Sequence, residues 1–367
     1  MKTATITFHA AHNYGSNLQA YALQQTILSL GHSNEIINLR TDRQKDLYTV
    51  FTKRKGLKYV IKNLSHFFYY FPLKRAYRKF ENFINTKLIL TQEFESEEDL
   101  MTAGFSYDAY ICGSDQIWNP DPADFDWSYY LTFVKNGKKI AYAPSFGQLA
   151  STGNKDIERK ISLALSSFDK ISVREQGSAN NVKLLTGKSI DIVLDPTLLI
   201  SKDKWLHLIK DEKRLIKQDY IFFYTLFADP ERMDIIKRVS KATGLPVVTS
   251  NFSNQYDVFN PFKKCYDAGP LDFLTLIRDA KLVVVSSFHG TVFSSLLNIP
   301  FFAIDGMTDA RICTLLKLCG LENREITTKN VEEKCKEAFN IDFKIVNQRI
   351  EEARKFSIEF LKKNLEA

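Results

Sequence analysis

Two periods of apolar residues alternate along the chain. Thr3 to Phe8 (TATITF) reads as a first strand, and Leu18 to Leu30 (LQAYALQQTILSL) carries apolar positions at helical spacing up to Gly31. Ile36 to Leu39 is the next strand, so the chain opens with a strand–helix–strand unit. Tyr107 to Cys112, Trp127 to Leu131, Lys139 to Tyr142, Lys170 to Val173 and Ile190 to Thr197, with its Pro stop, are predicted to continue the sheet. Asp156 to Phe168 is predicted as a helix among them. The alternation then restarts. Asp219 to Thr225 is a strand, Pro230 to Thr243 a helix stopped by Gly244, Pro246 to Thr249 a strand, and Leu271 to Ala280 a helix. Leu282 to Val285 (LVVV) and Phe301 to Ile304 (FFAI) are wholly apolar, the pattern of strands buried on both faces of a parallel sheet. Between them Ser286 to Thr291 is predicted as a polar turn and Val292 to Leu297 as a short helix. Arg311 to Cys319 and Ile345 to Leu365 are the last helices predicted.

The pattern predicts an α/β chain with two Rossmann-like domains facing a central cleft. The expected division is 1–190, carrying a helical insert at 40–88, then 191–345, then a closing helix at 346–367 that packs back across both. A length of 367 residues agrees, being more than one core usually serves. With 44% hydrophobic and 25% charged residues the composition is that of a globular protein. No window approaches a membrane span, and the first residues run straight into a strand without a signal-peptide pattern, so a cytoplasmic protein is expected. Five cysteines without CxxC spacing are expected as free thiols, with no metal site.

Charge changes the picture in one place. Between Arg40 and Lys79 twelve Lys and Arg face two acids, Asp42 and Asp46, a local +10 in a chain of net +7. Aromatic residues interleave there, from Tyr48 and Phe51 to Phe67, Phe68 and Phe71. No nucleic-acid motif accompanies the charge. The remaining readings are a solvated basic face or peripheral contact with an anionic inner membrane.

Candidate chemistry gathers where strands end. Ligands of open α/β sheets bind at the carboxyl ends of strands, and helix starts there offer N–H groups to anions. His289, with Ser287, Gly290 and Thr291, follows the strand Leu282 to Val285; the competing reading of His289 is a core histidine bonded to backbone. Asn13, Tyr14, Gly15 and Ser16 follow the first strand, where Asn and Gly serve equally as turn-formers. Asp115 follows Tyr107 to Cys112, with a helix cap as its alternative role. Ser145 follows Lys139 to Tyr142. Arg174 ends the strand Lys170 to Val173 and suits bidentate capture of phosphate or carboxylate, or a structural ion pair. Arg311 stands in a helix's first turn, where the dipole prefers anions, with Asp309 as the simpler partner. Neither GxGxxG nor GxxxxGK[ST] is present.

Six stretches occur in order: HNYGSNLQAYALQ, CGSDQIWNP, APSFG, ISVRE, DIVLDPTLL and SSFHGTVFSSLLNIPFF. Together they resemble the polysaccharide pyruvyl transferase family, over roughly Thr3 to Arg324. The resemblance implies an architecture similar to GT-B glycosyltransferases. It implies transfer of the pyruvyl group of phosphoenolpyruvate onto a pair of sugar hydroxyls as a cyclic ketal, with release of phosphate and no cofactor. The implied acceptor is a cell-surface polysaccharide precursor, often lipid-linked. His289 matches the family's histidine, implied as general acid/base, and Arg174 a position implied to bind phosphoenolpyruvate. Ser287, Gly290 and Thr291 fall on the implied donor side, and Asn13, Tyr14, Gly15, Ser16, Asp115 and Ser145 on the acceptor side. Some members carry an Arg where this chain has Ser287, and Arg311, which matches an Arg of the SFHG-type branch, is the expected substitute. The alternatives are a GT-B glycosyltransferase using a nucleotide sugar, and a non-catalytic protein that binds a glycan or an anionic metabolite.

Overall fold

The computed structural model describes residues 1–52, 56–147, 153–227, 229–250 and 260–366; Lys53, Arg54 and Lys55 of the basic segment lie outside them. The chain forms two compact units. One comprises Met1–Leu64, Phe80–Ile200 and Glu352–Ala367, the other Ser65–Lys79 and Ser201–Glu351. The junction therefore follows Ile200 and not Ile190. Residues 191–200 belong with the first unit because Asp195 pairs with Arg174 and the Leu194 N–H donates to Ser357 Oγ at 2.9 Å. The 40–88 segment is likewise divided. Within the second unit, Lys79 pairs with Asp272 at 2.8 Å and Tyr69 meets Tyr266 edge-on at 5.3 Å.

Among the described residues the first unit holds a seven-stranded sheet. Its strands are β1 (Lys2–Ile6), β2 (Ser33–Leu39), β3 (Leu90–Phe94), β4 (Ala109–Cys112), β5 (Lys138–Ala141), β6 (Lys170–Val173) and β7 (Asp191–Ile192). All pair in parallel, in the order β3-β2-β1-β4-β5-β6-β7. Thr5 sits opposite Ile36 on one side and Ile111 on the other. β4 is buried throughout, as its apolar run requires. Ala4, Ile6, Cys112, Trp118 and Tyr130 are buried in one core cluster.

The second unit repeats the same winding. β8 (Ile221–Tyr224), β9 (Val247–Thr249), β10 (Lys263–Lys264), β11 (Leu282–Val285), β12 (Phe301–Ile304) and β13 (Glu325–Ile326) run parallel in the order β10-β9-β8-β11-β12-β13. In each sheet the first strand has the second on one side and the fourth on the other, the doubly wound arrangement with a switch point between them. Helix boundaries follow local chemistry. Pro230–Thr243 starts on the Asp229 cap, with Pro at its first position, and stops at Gly244 in the left-handed region, φ 70°.

Three predicted elements differ. The strand predicted at 190–197 keeps only Asp191–Ile192 as strand, and Pro196–Leu198 is a 3-10 turn capped by Asp195. Trp127–Tyr130 is a 3-10 helix and not a strand: Asp126 accepts from the Ser128 N–H, and the Tyr130 ring stacks on Trp118 at 5.5 Å. The helix after β11 begins at Phe288, so His289, Gly290 and Thr291 lie in its first turn and not in a preceding loop.

Candidate functional site

At the first switch point the loops after β1 and β4 meet. Asn13 caps the helix Tyr14–Ser29, its Oδ1 accepting from the N–H groups of Gly15 at 2.9 Å and Ser16 at 3.2 Å. Ser16 Oγ donates to Asp115 Oδ2 at 2.6 Å, joining the two loops. Asp115 has a left-handed backbone, φ 78°, and its neighbour Gly113 has φ 126° with a Cβ position that falls onto the Tyr142 carbonyl. Only glycine permits that turn. Gln19 ties it down: its Oε1 accepts from Ser114 N–H at 3.0 Å and its Nε2 donates to Thr7 Oγ1 at 2.7 Å.

Behind Asp115 stands Arg174, its side chain 1% exposed. It pairs with Asp115 at 3.3 Å, Asp195 at 3.0 Å and Glu175 at 3.4 Å. Burial by itself would lower its pKa, and the three carboxylates reverse that and hold it raised. Its guanidinium is shared among three buried carboxyl groups. Of the two readings of Arg174, anion capture or a structural ion pair, the contacts described are those of the ion pair, in which it holds Asp115 and Asp195 in place. Asp195 is also anchored by Ser114 Oγ at 3.2 Å and Thr197 Oγ1 at 2.6 Å. Ser145 is buried and accepts from the Gly147 N–H at 2.8 Å, while its own N–H donates to the Asp115 carbonyl. Gly15 is buried, and Tyr14 stacks on Phe80 at 5.3 Å.

At the second switch point the ends of β8 and β11 are joined by Thr225 Oγ1 and Ser286 Oγ, 2.7 Å apart. Ser287 is extended and caps the Phe288–Leu297 helix by position without a side-chain cap bond. His289 follows in the first turn, buried, its ring edge-on to Phe288 at 5.1 Å. Gly290 lets this turn lie on the strand: a Cβ there would come within 2.8 Å of Val285 Cγ1. Thr291 is fully buried and its hydroxyl donates back to the Ser287 carbonyl at 3.0 Å, tying down the helix start. Arg311 takes its simpler partner, holding Asp309 through Nε at 3.0 Å and Nη2 at 2.5 Å. Burial pushes the Asp309 carboxyl up, and this pairing overcomes it and holds it low.

Sequence reasoning placed Ser16, Asp115 and Arg174 at strand ends, and the fold brings them into one network. It named Glu175 only as a candidate structural partner of Arg174, and did not pick out Gln19, Asp195 or Ser178, which donates to Glu175. Nor did it find Arg232, between Asp229 and Asp305 in the second unit. Asp195 had a signal, the strand-ending Asp-Pro turn; Arg232 had none, lying inside a regular helix pattern.

The sequence model of the polysaccharide pyruvyl transferase family matches residues 13–306. No curated protein matches the chain in sequence. Among solved structures, UDP-GlcNAc 2-epimerase from Neisseria meningitidis bound to UDP-GlcNAc superposes with a TM-score of 0.54 at 11% identity, covering 99% of this chain and 100% of that one. The Methanocaldococcus jannaschii enzyme in complex with UDP-GlcNAc and UDP gives 0.54 at 13% identity, over 94% of each chain. A putative UDP-N-acetylglucosamine 2-epimerase from Listeria monocytogenes gives 0.54 at 10% identity, over 95% and 90%. These likenesses show a GT-B-like fold. With a family match across four-fifths of its length, the chain belongs to the polysaccharide pyruvyl transferase family.

Proposed function

We propose that the chain transfers the pyruvyl group of phosphoenolpyruvate onto two hydroxyls of a saccharide acceptor, forming a cyclic ketal and releasing phosphate. Family membership supports the transfer, and the observation that carries the donor chemistry is His289 in the first turn of a helix that opens at the carboxyl end of β11. The helix start supplies N–H donors suited to the donor's phosphate or carboxylate. His289 serves as the proton carrier. C3 of the enol takes a proton, a first hydroxyl adds to C2, the C2–O bond to phosphate breaks, and a second hydroxyl closes the ring. Two hydroxyl protons are released; one ends on C3 and the other leaves with the phosphate.

The test is phosphate release that requires both phosphoenolpyruvate and a saccharide, together with thermal unfolding of the full chain. Phosphoenolpyruvate at about a hundred times its dissociation constant should add roughly 2.7 kcal/mol. UDP-GlcNAc is the control, because the nucleotide-sugar alternative draws on fold alone. His289→Asn should lower turnover by about 10²–10⁴-fold with the unfolding midpoint retained. Stabilisation by UDP-GlcNAc and not by phosphoenolpyruvate would overturn the donor assignment.

A further inference from the structure

The Leu57–Phe68 helix and the start of Tyr70–Lys87 expose an apolar stripe. Leu57, Val60, Leu64, Phe67, Phe68 and Phe71 are between 61% and 76% exposed. Within Leu57–Phe68 the spacing of Leu57, Val60, Leu64, Phe67 and Phe68 follows the helical period, so they form one face and not a scatter of single residues, and Phe71 follows at the start of the next helix. The same stretch, 57–79, contains no Asp or Glu and six cations: Lys58, Lys62, Lys74, Arg75, Arg78 and Lys79. The stretch itself therefore carries a formal +6, and within the described side chains Arg75 and Lys79 each meet a carboxylate, Asp267 and Asp272. No helix among the described residues is long and apolar enough to cross a membrane.

We propose that this stripe docks on a lipid bilayer with anionic headgroups. Leucine and phenylalanine side chains enter the acyl boundary while the flanking lysines and arginines meet headgroup phosphates, the physics of an interfacial amphipathic helix. Charge decides between this occupant and a second copy of the chain. Pairing two copies of the stripe would set one cationic segment against another, whereas an anionic surface complements it. The inference stands apart from the donor chemistry, and its test uses no substrate.

The test is flotation of the full chain with vesicles of phosphatidylcholine alone or with about one-third phosphatidylglycerol. Binding to the anionic vesicles should be at least roughly tenfold stronger, and should weaken as salt rises from about 0.05 M to about 0.5 M. Leu64→Ser/Phe67→Ser/Phe68→Ser should lose roughly tenfold of that binding with an unchanged unfolding midpoint. Phe68→Trp in an otherwise intact chain should show added emission that brominated lipid quenches. Equal binding to both vesicle types, full binding by the triple variant, or no quenching would overturn the proposal. A concentration-dependent dimer that the triple variant abolishes, without vesicle binding, would assign the stripe to a second copy instead.

Discussion

His9 lies fully buried just after β1, with Nε2 2.9 Å from Asn38 Oδ1 and Nδ1 3.2 Å from the Thr7 carbonyl. Burial, opposed by the Asn38 bond, pushes its pKa down to about 4. The unfolded chain takes up this proton near pH 6.5 and the folded chain refuses it until about pH 4. Stability from the neutral ring is therefore complete above about pH 6.5 and is lost as pH falls toward 4, by roughly 3 kcal/mol. Denaturant titrations of wild type and His9→Gln should converge over that window; a constant difference would contradict it. Arg174 makes the opposite case, a charge that must stay. Arg174→Met leaves Asp115, Asp195 and Glu175 without their shared cation and should cost about 3–5 kcal/mol in urea unfolding. A cost below about 1 kcal/mol would mean that the cluster is not the unit described. Sequence reasoning singled out Arg174 by its place at a strand end. Beside its neighbour Glu175, its partners Asp115 and Asp195 come from positions 59 and 21 residues away, which no local pattern states.

At the level of the element, the unit β11–Phe288–Leu297–β12 is where local pattern and observed structure agree most closely. The apolar runs marked both strands, and Asn298 in the left-handed region, φ 63°, ends the helix after Leu297, where the pattern placed its end. The helix start was missed because its first four residues, Phe288 to Thr291, carry little of the apolar period, and Ser287 gives no side-chain cap. What fixes that start is packing of Gly290 on Val285. Gly290→Ala should push the first turn off the strand, costing about 1–3 kcal/mol, and should lower turnover together with stability. Thermal melts and initial rates on the same preparation separate this from His289→Asn, which should move only the rate. Trp127–Tyr130 failed for the opposite reason. Its aromatic run is rich in strand-favouring residues, but Asp126 and the Trp118 stack turn it into a 3-10 helix.

Over the whole molecule, the C-terminal helix Phe343–Glu366 shows how far apart in sequence the fold reaches. Its residues from Glu352 onward belong to the first unit, where Arg354 donates to the Leu198 carbonyl at 2.6 Å, Ser357 accepts from Leu194, and the Asn364 carbonyl accepts from Lys138 at 3.0 Å. Leu361 and Leu365 are fully buried. Deleting 352–367 should therefore cost at least about 3 kcal/mol, read as an earlier denaturation midpoint; an unchanged midpoint would show that the helix is an appendage. The sequence by itself determined the α/β class, the two rounds of alternation, most strands and helices, and the strand ends at which polar residues collect. These follow from periods of two and 3.6 residues and from caps, all local properties. Only the tertiary structure decided the strand order in each sheet, the carboxylates that surround Arg174, the pairing of Arg311 with Asp309, and the solvent-facing aromatic stripe at 57–71. Crossover connections bring together residues tens of positions apart. Burial and charge neutralisation are properties of that assembled neighbourhood rather than of any stretch of chain.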